Sequence, residues 1–123
     1  MKFKGLPKSV PPSEFSVEFV QGMADRMAVS FFKYGCIADV YPDRVDAIAS
    51  LKKRLAMYER DGNREWLMDI GNFAMIEFRY PGHPRAHFRA TDSDESPGRK
   101  FHGSISFSSQ KNIEKRFNKH EGD

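Results

Sequence analysis

The stretch Asp61-Gly62-Asn63-Arg64-Glu65-Trp66-Leu67-Met68-Asp69-Ile70-Gly71-Asn72-Phe73-Ala74 decides the fold. Asp61-Gly62 closes one helical pattern, and Asn63 is a good N-cap for the next. A link this short between two helices folds them into an antiparallel hairpin. On its upstream side, after Tyr41-Pro42, Asp43 is a good first-turn residue. Val45, Ile48, Leu51, Leu55 and Tyr58 or Ala56 follow as the buried side, with Lys52, Lys53 and Arg54 as the solvated face. On its downstream side Trp66, Leu67, Ile70, Phe73, Ala74 and Met75 or Phe78 turn inward along residues 64–79. Pro81 ends this helix by pushing the residue before it out of the helical region.

Working outward, Pro11-Pro12 precedes a third helical pattern, and Ser13 stands where a hydroxyl satisfies the orphan amides of a first turn. Phe15, Phe19, Met23, Met27 and Phe31 recur every fourth residue, flanked by Val20, Ala24 and Ala28. They form one broad apolar stripe. Lys33-Tyr34-Gly35 ends it, with a cation near the negative end of the helix dipole and a glycine free to take positive φ. The expected architecture is therefore all-α, with a three-helix core over about 13–34, 43–60 and 64–79 in a helical domain of residues 1–80. A hairpin cannot cover both of its apolar faces. The five large residues of the first helix, each worth roughly 1.5–3 kcal/mol when fully buried, are the expected cover. A folded part this small is marginal by itself, so a homodimer is expected as well.

Composition bounds the function. Of 123 residues, 39% are hydrophobic and 30% charged, which excludes a wholly disordered chain. No apolar run approaches the roughly 20 residues that a bilayer requires, so no membrane partner is expected. Met1-Lys2-Phe3-Lys4-Gly5-Leu6-Pro7-Lys8 lacks the apolar core of a secretory signal. A single cysteine, Cys36, excludes an internal disulfide framework and a cysteine-only metal site. A soluble, cytoplasmic protein is expected. The net charge is +3, and residues 1–80 are nearly balanced, with 12 basic and 11 acidic side chains.

The excess lies downstream: residues 99–119 carry six basic side chains against Glu114 alone, a segment suited to phosphates or nucleic acid. From Pro81 onward the chain is rich in Pro and Gly without sustained period, so 81–123 reads as an irregular, flexible tail. Within it, 104–108 alternates like a short strand and 109–119 has the spacing of a short helix. The tail aromatics Phe88, Phe101, Phe107 and Phe117, interleaved with Arg89, Arg99, Lys100 and Arg116, suit either stacking on single-stranded nucleic acid or anchoring on the core.

Acidic residues are the main chemical candidates. Asp43 and Asp46 are three apart, and Glu65 and Asp69 are four apart with Asn72 continuing their face. Hard oxygen ligands of this kind suit Mg²⁺ or Mn²⁺ with substrate phosphates. In an antiparallel hairpin, however, Asp43 and Asp46 lie at the open end and Glu65 at the turn. A shared cluster therefore needs the first helix (Glu18, Asp25) or a second subunit. Acids near helix N-termini also have a plain structural reading, since the dipole stabilises each by about 0.3–1 kcal/mol.

Asp69 is the harder case. Among Trp66, Leu67, Ile70 and Phe73 a carboxylate needs a partner, either a metal or one of Lys33, Arg26 and Arg54. His83 and His87 have zinc-like spacing, but Pro84 breaks the helix and no cysteine completes the set. Asp92, Asp94 and Ser96 begin like a calcium loop, yet Pro97 replaces the required glycine. Walker and dinucleotide patterns are absent.

Lys33-Tyr34-Gly35, Ser50 through Tyr58 and Gly62 through Ala74 resemble small proteins of actinobacteria and their phages. More distantly, the layout over about residues 20–78 resembles the all-α nucleotide pyrophosphatases of the MazG and dimeric dUTPase type. That resemblance implies Mg²⁺ held by acids of two helices and cleavage of nucleoside triphosphates between the α- and β-phosphates. Carried over, Asp43, Asp46, Glu65 and Asp69 are the metal ligands, and Glu65 and Asp69 the catalytic pair. For that activity the basic residues Lys33, Lys52 and Arg54, together with Asn72, are expected to bind the substrate. This chain departs from the pattern in its first pair, aspartate rather than glutamate, and in its second, spaced by four rather than three. Two functions follow as expectations. One is a Mg²⁺-dependent nucleotide pyrophosphohydrolase, or its inactive relative. The other is a non-enzymatic helical module that engages nucleic acid or a host protein through its basic tail.

Overall fold

The computed structural model describes residues 3–91, and within them the chain is all-α. The elements are a 3₁₀ turn Pro12–Glu14, helix α1 Val17–Tyr34, a 3₁₀ turn Ile37–Asp39, helix α2 Ala47–Asp61 and helix α3 Glu65–Arg79. The chain divides into two compact units, Met1–Ala86 and His87–Asp123. The first holds all three helices. Of the second, 87–91 is irregular. The strand expected at 104–108, the helix at 109–119 and the basic run 99–119 lie outside the described residues. No described helix is long and apolar enough to cross a membrane.

Two helices start later than the sequence pattern suggests, each because a side chain caps further along. Ser13 sits in the Pro12–Glu14 turn, where its hydroxyl donates to Glu14 Oε2 at 3.1 Å. Ser16 is the cap instead, accepting from the Phe19 amide at 2.9 Å. The second helix begins at Ala47 rather than 43, because Asp46 Oδ1 accepts from the amides of Ile48 (3.0 Å) and Ala49 (3.1 Å). A capping residue holds extended backbone angles, so the helix cannot run back through it. Asp43 falls in the preceding turns, outside any helix.

The hairpin turn forms as expected, but the residue that precedes α3 is Arg64, in the helical region and without a side-chain cap, rather than Asn63 as N-cap. Gly62 takes φ +72°, and its amide donates to Tyr58 O at 2.7 Å, the left-handed stop that glycine makes without strain. Asp61 Oδ1 accepts from the Asn63 amide at 2.9 Å and from the Trp66 indole Nε1 at 3.1 Å. Asn63 Oδ1 accepts from the Glu65 amide at 3.0 Å. At the far end Glu77 Oε2 accepts from the amides of Gly82 (2.9 Å) and His83 (3.2 Å), tying down the chain after Pro81.

Helix α3 is the shared element, packing against both α2 and α1. Its approach to α1 is close. A Cβ on Gly71 would lie 2.9 Å from Met23 Sδ and 3.3 Å from Phe19 Cζ, and one on Gly22 would collide with Met68 Sδ. Flexible thioethers fill the space that the two glycines leave. Burial is thin. Ala47, Asn72 and Ile76 alone among the described residues are deeply buried. Several expected core side chains are open instead: Phe31 (50%), Phe78 (76%), Ala74, Val45, Ile48 and Leu55. Three helices of this length present more apolar surface than α3 can cover, so the outer flanks of α1 and α2 remain in solvent.

Candidate functional site

All three helices contribute charged side chains to a common junction, α1 and α2 one each and α3 two. Arg26 comes from the middle of α1, Arg54 from α2, and Asp69 with Glu65 from the first half of α3. Arg26 Nε donates to Asp69 Oδ1 at 2.6 Å and Nη2 to Oδ2 at 3.3 Å, while Nη1 donates to Glu65 Oε2 at 2.6 Å. One guanidinium thereby holds both acids of α3. The four-residue spacing of Glu65 and Asp69 places them one turn apart on the face that meets α1. The hydrogen bond to Asp69 raises the Arg26 pKa, against burial, and both carboxylates add to the rise. Arg54 Nε reaches Asp69 Oδ2 at 3.4 Å, and its guanidinium lies 5.3 Å from the Phe73 ring centre and 5.9 Å from that of Trp66. Delocalised charge over aromatic faces suits arginine in a half-dry site.

A cleft of about 690 Å³ opens beside this junction, lined among others by Lys33, Tyr41, Ser50, Arg54, Asp69 and Asn72. Its walls are mixed. Met27, Ile37, Val45 and Ile76 add apolar surface. Burial raises the Tyr41 phenol pKa, and the nearby Arg54 charge partly opposes this. Among the described residues, no hydrogen bond occupies the Arg54 Nη groups, the Tyr41 hydroxyl or the Lys33 ammonium. Asn72, 6% exposed, donates from Nδ2 to Met23 O at 3.0 Å, and its buried Oδ1 has no partner.

The structure thus brings together four of the residues expected from sequence: Lys33, Arg54, Asp69 and Asn72 line one cleft. Lys52 is exposed on the outer side of α2, away from it. Asp43 and Asp46 do not join Glu65 and Asp69 within the chain. Among the described residues no three His, Cys, Asp or Glu side chains gather as a metal site. The donor set also argues against Mg²⁺ or Mn²⁺ here. Asp46 caps α2, and Glu65 and Asp69 are both engaged by Arg26, a cation standing where a metal would. Within one chain these residues do not fit the ion. Arg26 is one of the three cations that the sequence offers Asp69. That Arg26 would also take Glu65 was not legible, nor was Tyr41, whose approach to Arg54 depends on the turns before α2. The chain matches no known protein-family model, and no curated protein or solved structure matches it.

Proposed function

We propose that this chain is a binding module for a phosphorylated small molecule, with a nucleotide as the first candidate, and that its acids serve architecture rather than metal-dependent hydrolysis. The observation that carries the reading is the donor-rich cleft. The Nη groups of Arg54, the Lys33 ammonium and the Tyr41 hydroxyl bring hydrogen-bonding capacity that no described protein group takes up, while Asp69 is held by Arg26 and the Arg54 Nε. Arg54 suits a phosphate through its planar fork and Lys33 through a point charge, and the apolar wall suits a base or similar body. Pyrophosphohydrolase activity of the MazG kind requires instead that Asp43, Asp46, Glu65 and Asp69 assemble around Mg²⁺ across two subunits.

Calorimetry with AMP and ATP in the presence of EDTA tests this. Binding is expected without metal, weakened about tenfold or more in Arg54→Met or Lys33→Met. No binding at millimolar nucleotide, or binding untouched by both substitutions, sinks the reading. Mg²⁺-dependent pyrophosphate release abolished by Asp69→Asn would restore the hydrolase. The second reading, a module engaging nucleic acid through residues 99–119, rests on the charge of that segment. It is supported if binding to single-stranded DNA weakens steeply with salt and with removal of those charges.

A further inference from the structure

Helix α1 has a second apolar face that the fold leaves open. Its α3 side is formed by Phe19, Gly22, Met23 and Arg26. About a third of a turn round the helix, Val17, Val20, Ala24, Met27, Phe31 and Tyr34 follow one another at spacings of three, four, three, four and three. This is the a/d repeat of a helix that packs along another helix. Five of the six are exposed, among them Val17 at 72%, Phe31 at 50% and Tyr34 at 72%, and Phe32 beside them is open at 84%.

We infer that this seam pairs with the same seam of a second copy, antiparallel, about a two-fold axis near the middle of α1. The sizes of the side chains select that occupant and that direction. In an antiparallel pair each a position faces a d position of the partner. Val17 then meets Tyr34 of the second copy, Val20 meets Phe31, and Ala24 meets Met27. Each pair sets a smaller residue against a larger one, all in a single register. A parallel pair would stack Phe31 on Phe31 and leave a gap between two copies of Ala24.

Antiparallel pairing also sets the positive end of each helix dipole beside the negative end of the other. The exposed seam offers on the order of 400 Å² of apolar surface per chain, within the range of a monomer's largest patch. Doubled across a two-fold axis and widened by its rim, that approaches the roughly 1,200 Å² at which stable interfaces begin. Met27 and Tyr34 belong to this seam and also line the cleft, so the two surfaces share an edge of α1.

Sedimentation equilibrium of the full chain at tens of micromolar should give twice the 14.2 kDa chain mass. Ala24→Glu, which leaves the α3 face untouched, should weaken association about 100-fold or more while far-UV circular dichroism stays helical. In a Cys36→Ser background, Val20→Cys with Phe31→Cys should form interchain disulfides on mild oxidation, and Val20→Cys alone should not. A monomeric wild type, an Ala24→Glu chain that still dimerises, or efficient crosslinking through Val20→Cys alone would each overturn the inference. The last would indicate parallel pairing, and a monomer would leave the seam to another part of the chain or a foreign helix.

Discussion

Replacing Asp69 with asparagine tests whether this carboxylate is an architectural clasp or a metal ligand, because the two roles predict opposite signs. In the structure Asp69 is 15% exposed and accepts a 2.6 Å bond from Arg26, a longer 3.3 Å bond from the same guanidinium and a 3.4 Å contact from Arg54. Arg26 is 38% exposed, so the pair is neither fully buried nor free in solvent. Breaking a buried pair costs 3–5 kcal/mol and an exposed one under about 1, while a hydrogen bond to a charged group is worth about 1.5–3. An expected loss of about 2 kcal/mol follows. For a unit of this size that lowers the melting temperature by about 10 °C and the urea midpoint by about 1 M.

Urea unfolding followed by Trp66 fluorescence and by circular dichroism measures it, with a double-mutant cycle through Arg26→Met to isolate the pair. A coupling of about 1 kcal/mol or more is expected. A ligand to an absent metal would behave otherwise, since removing one of several crowded acids relieves repulsion and stabilises the apo chain. An Asp69→Asn midpoint equal to or above that of the wild type refutes the clasp.

Other perturbations separate the acids further. Asp46→Ala should lose about 1 kcal/mol with its helix cap, whereas Asp43→Ala should stay within about 0.5 kcal/mol, both read from urea midpoints; equal losses would contradict the assigned helix start. Asp61 is held below its usual 3.8 by the Asn63 amide and then by the Trp66 indole. Its stabilising contribution is therefore full above the ordinary carboxylate range and lost as pH falls through the lowered value. Emission from the single tryptophan should change in that acid window and lose the step in Asp61→Asn. Gly71→Leu should cost about 2 kcal/mol by thermal melting, because a longer side chain there meets Met23 and Phe19; a neutral result would show that α1 and α3 are not in close contact.

What the sequence disclosed follows from how local each determinant is. The hairpin was legible because Gly62, Asp61 and Asn63 settle it within a few residues. Helix starts were less so: two serines compete ahead of α1 and two aspartates ahead of α2, and which one caps depends on turns that proline dictates. Periodicity identifies α3 as amphipathic but turns Ala74 inward and leaves Met75 and Phe78 as alternatives, of which the structure half-buries Met75 and exposes Phe78, since one stripe cannot reveal that a helix must serve two neighbours. With α1 and α2 both against it, the most buried positions became Asn72 and Ile76. The cleft was partly legible, because Lys33 and Arg54 stand out by charge, and Asp69 and Asn72 by polarity among apolar neighbours. Lys52 stands two residues before Arg54, which on a helix points it about 200° away, to the opposite side.

The rotation of α1 about its own axis links the cleft and the exposed seam. Helix α1 presents one face to α3, one edge to the cleft and one seam to solvent, and all three shift together if it turns. Two contacts of different character fix that angle. Gly22 and Gly71 allow approach only where thioethers fill the gap, and Arg26 must reach both Glu65 and Asp69. A turn by one residue, about 100°, would carry Arg26 off the acids and swing bulkier side chains onto Gly71. The Arg26 clasp therefore has a positional consequence beyond its own few kcal/mol. It keeps Lys33 on the lining of the cleft and Val17, Val20, Ala24 and Phe31 exposed, with Glu65 and Asp69 as the stop that sets what α1 displays.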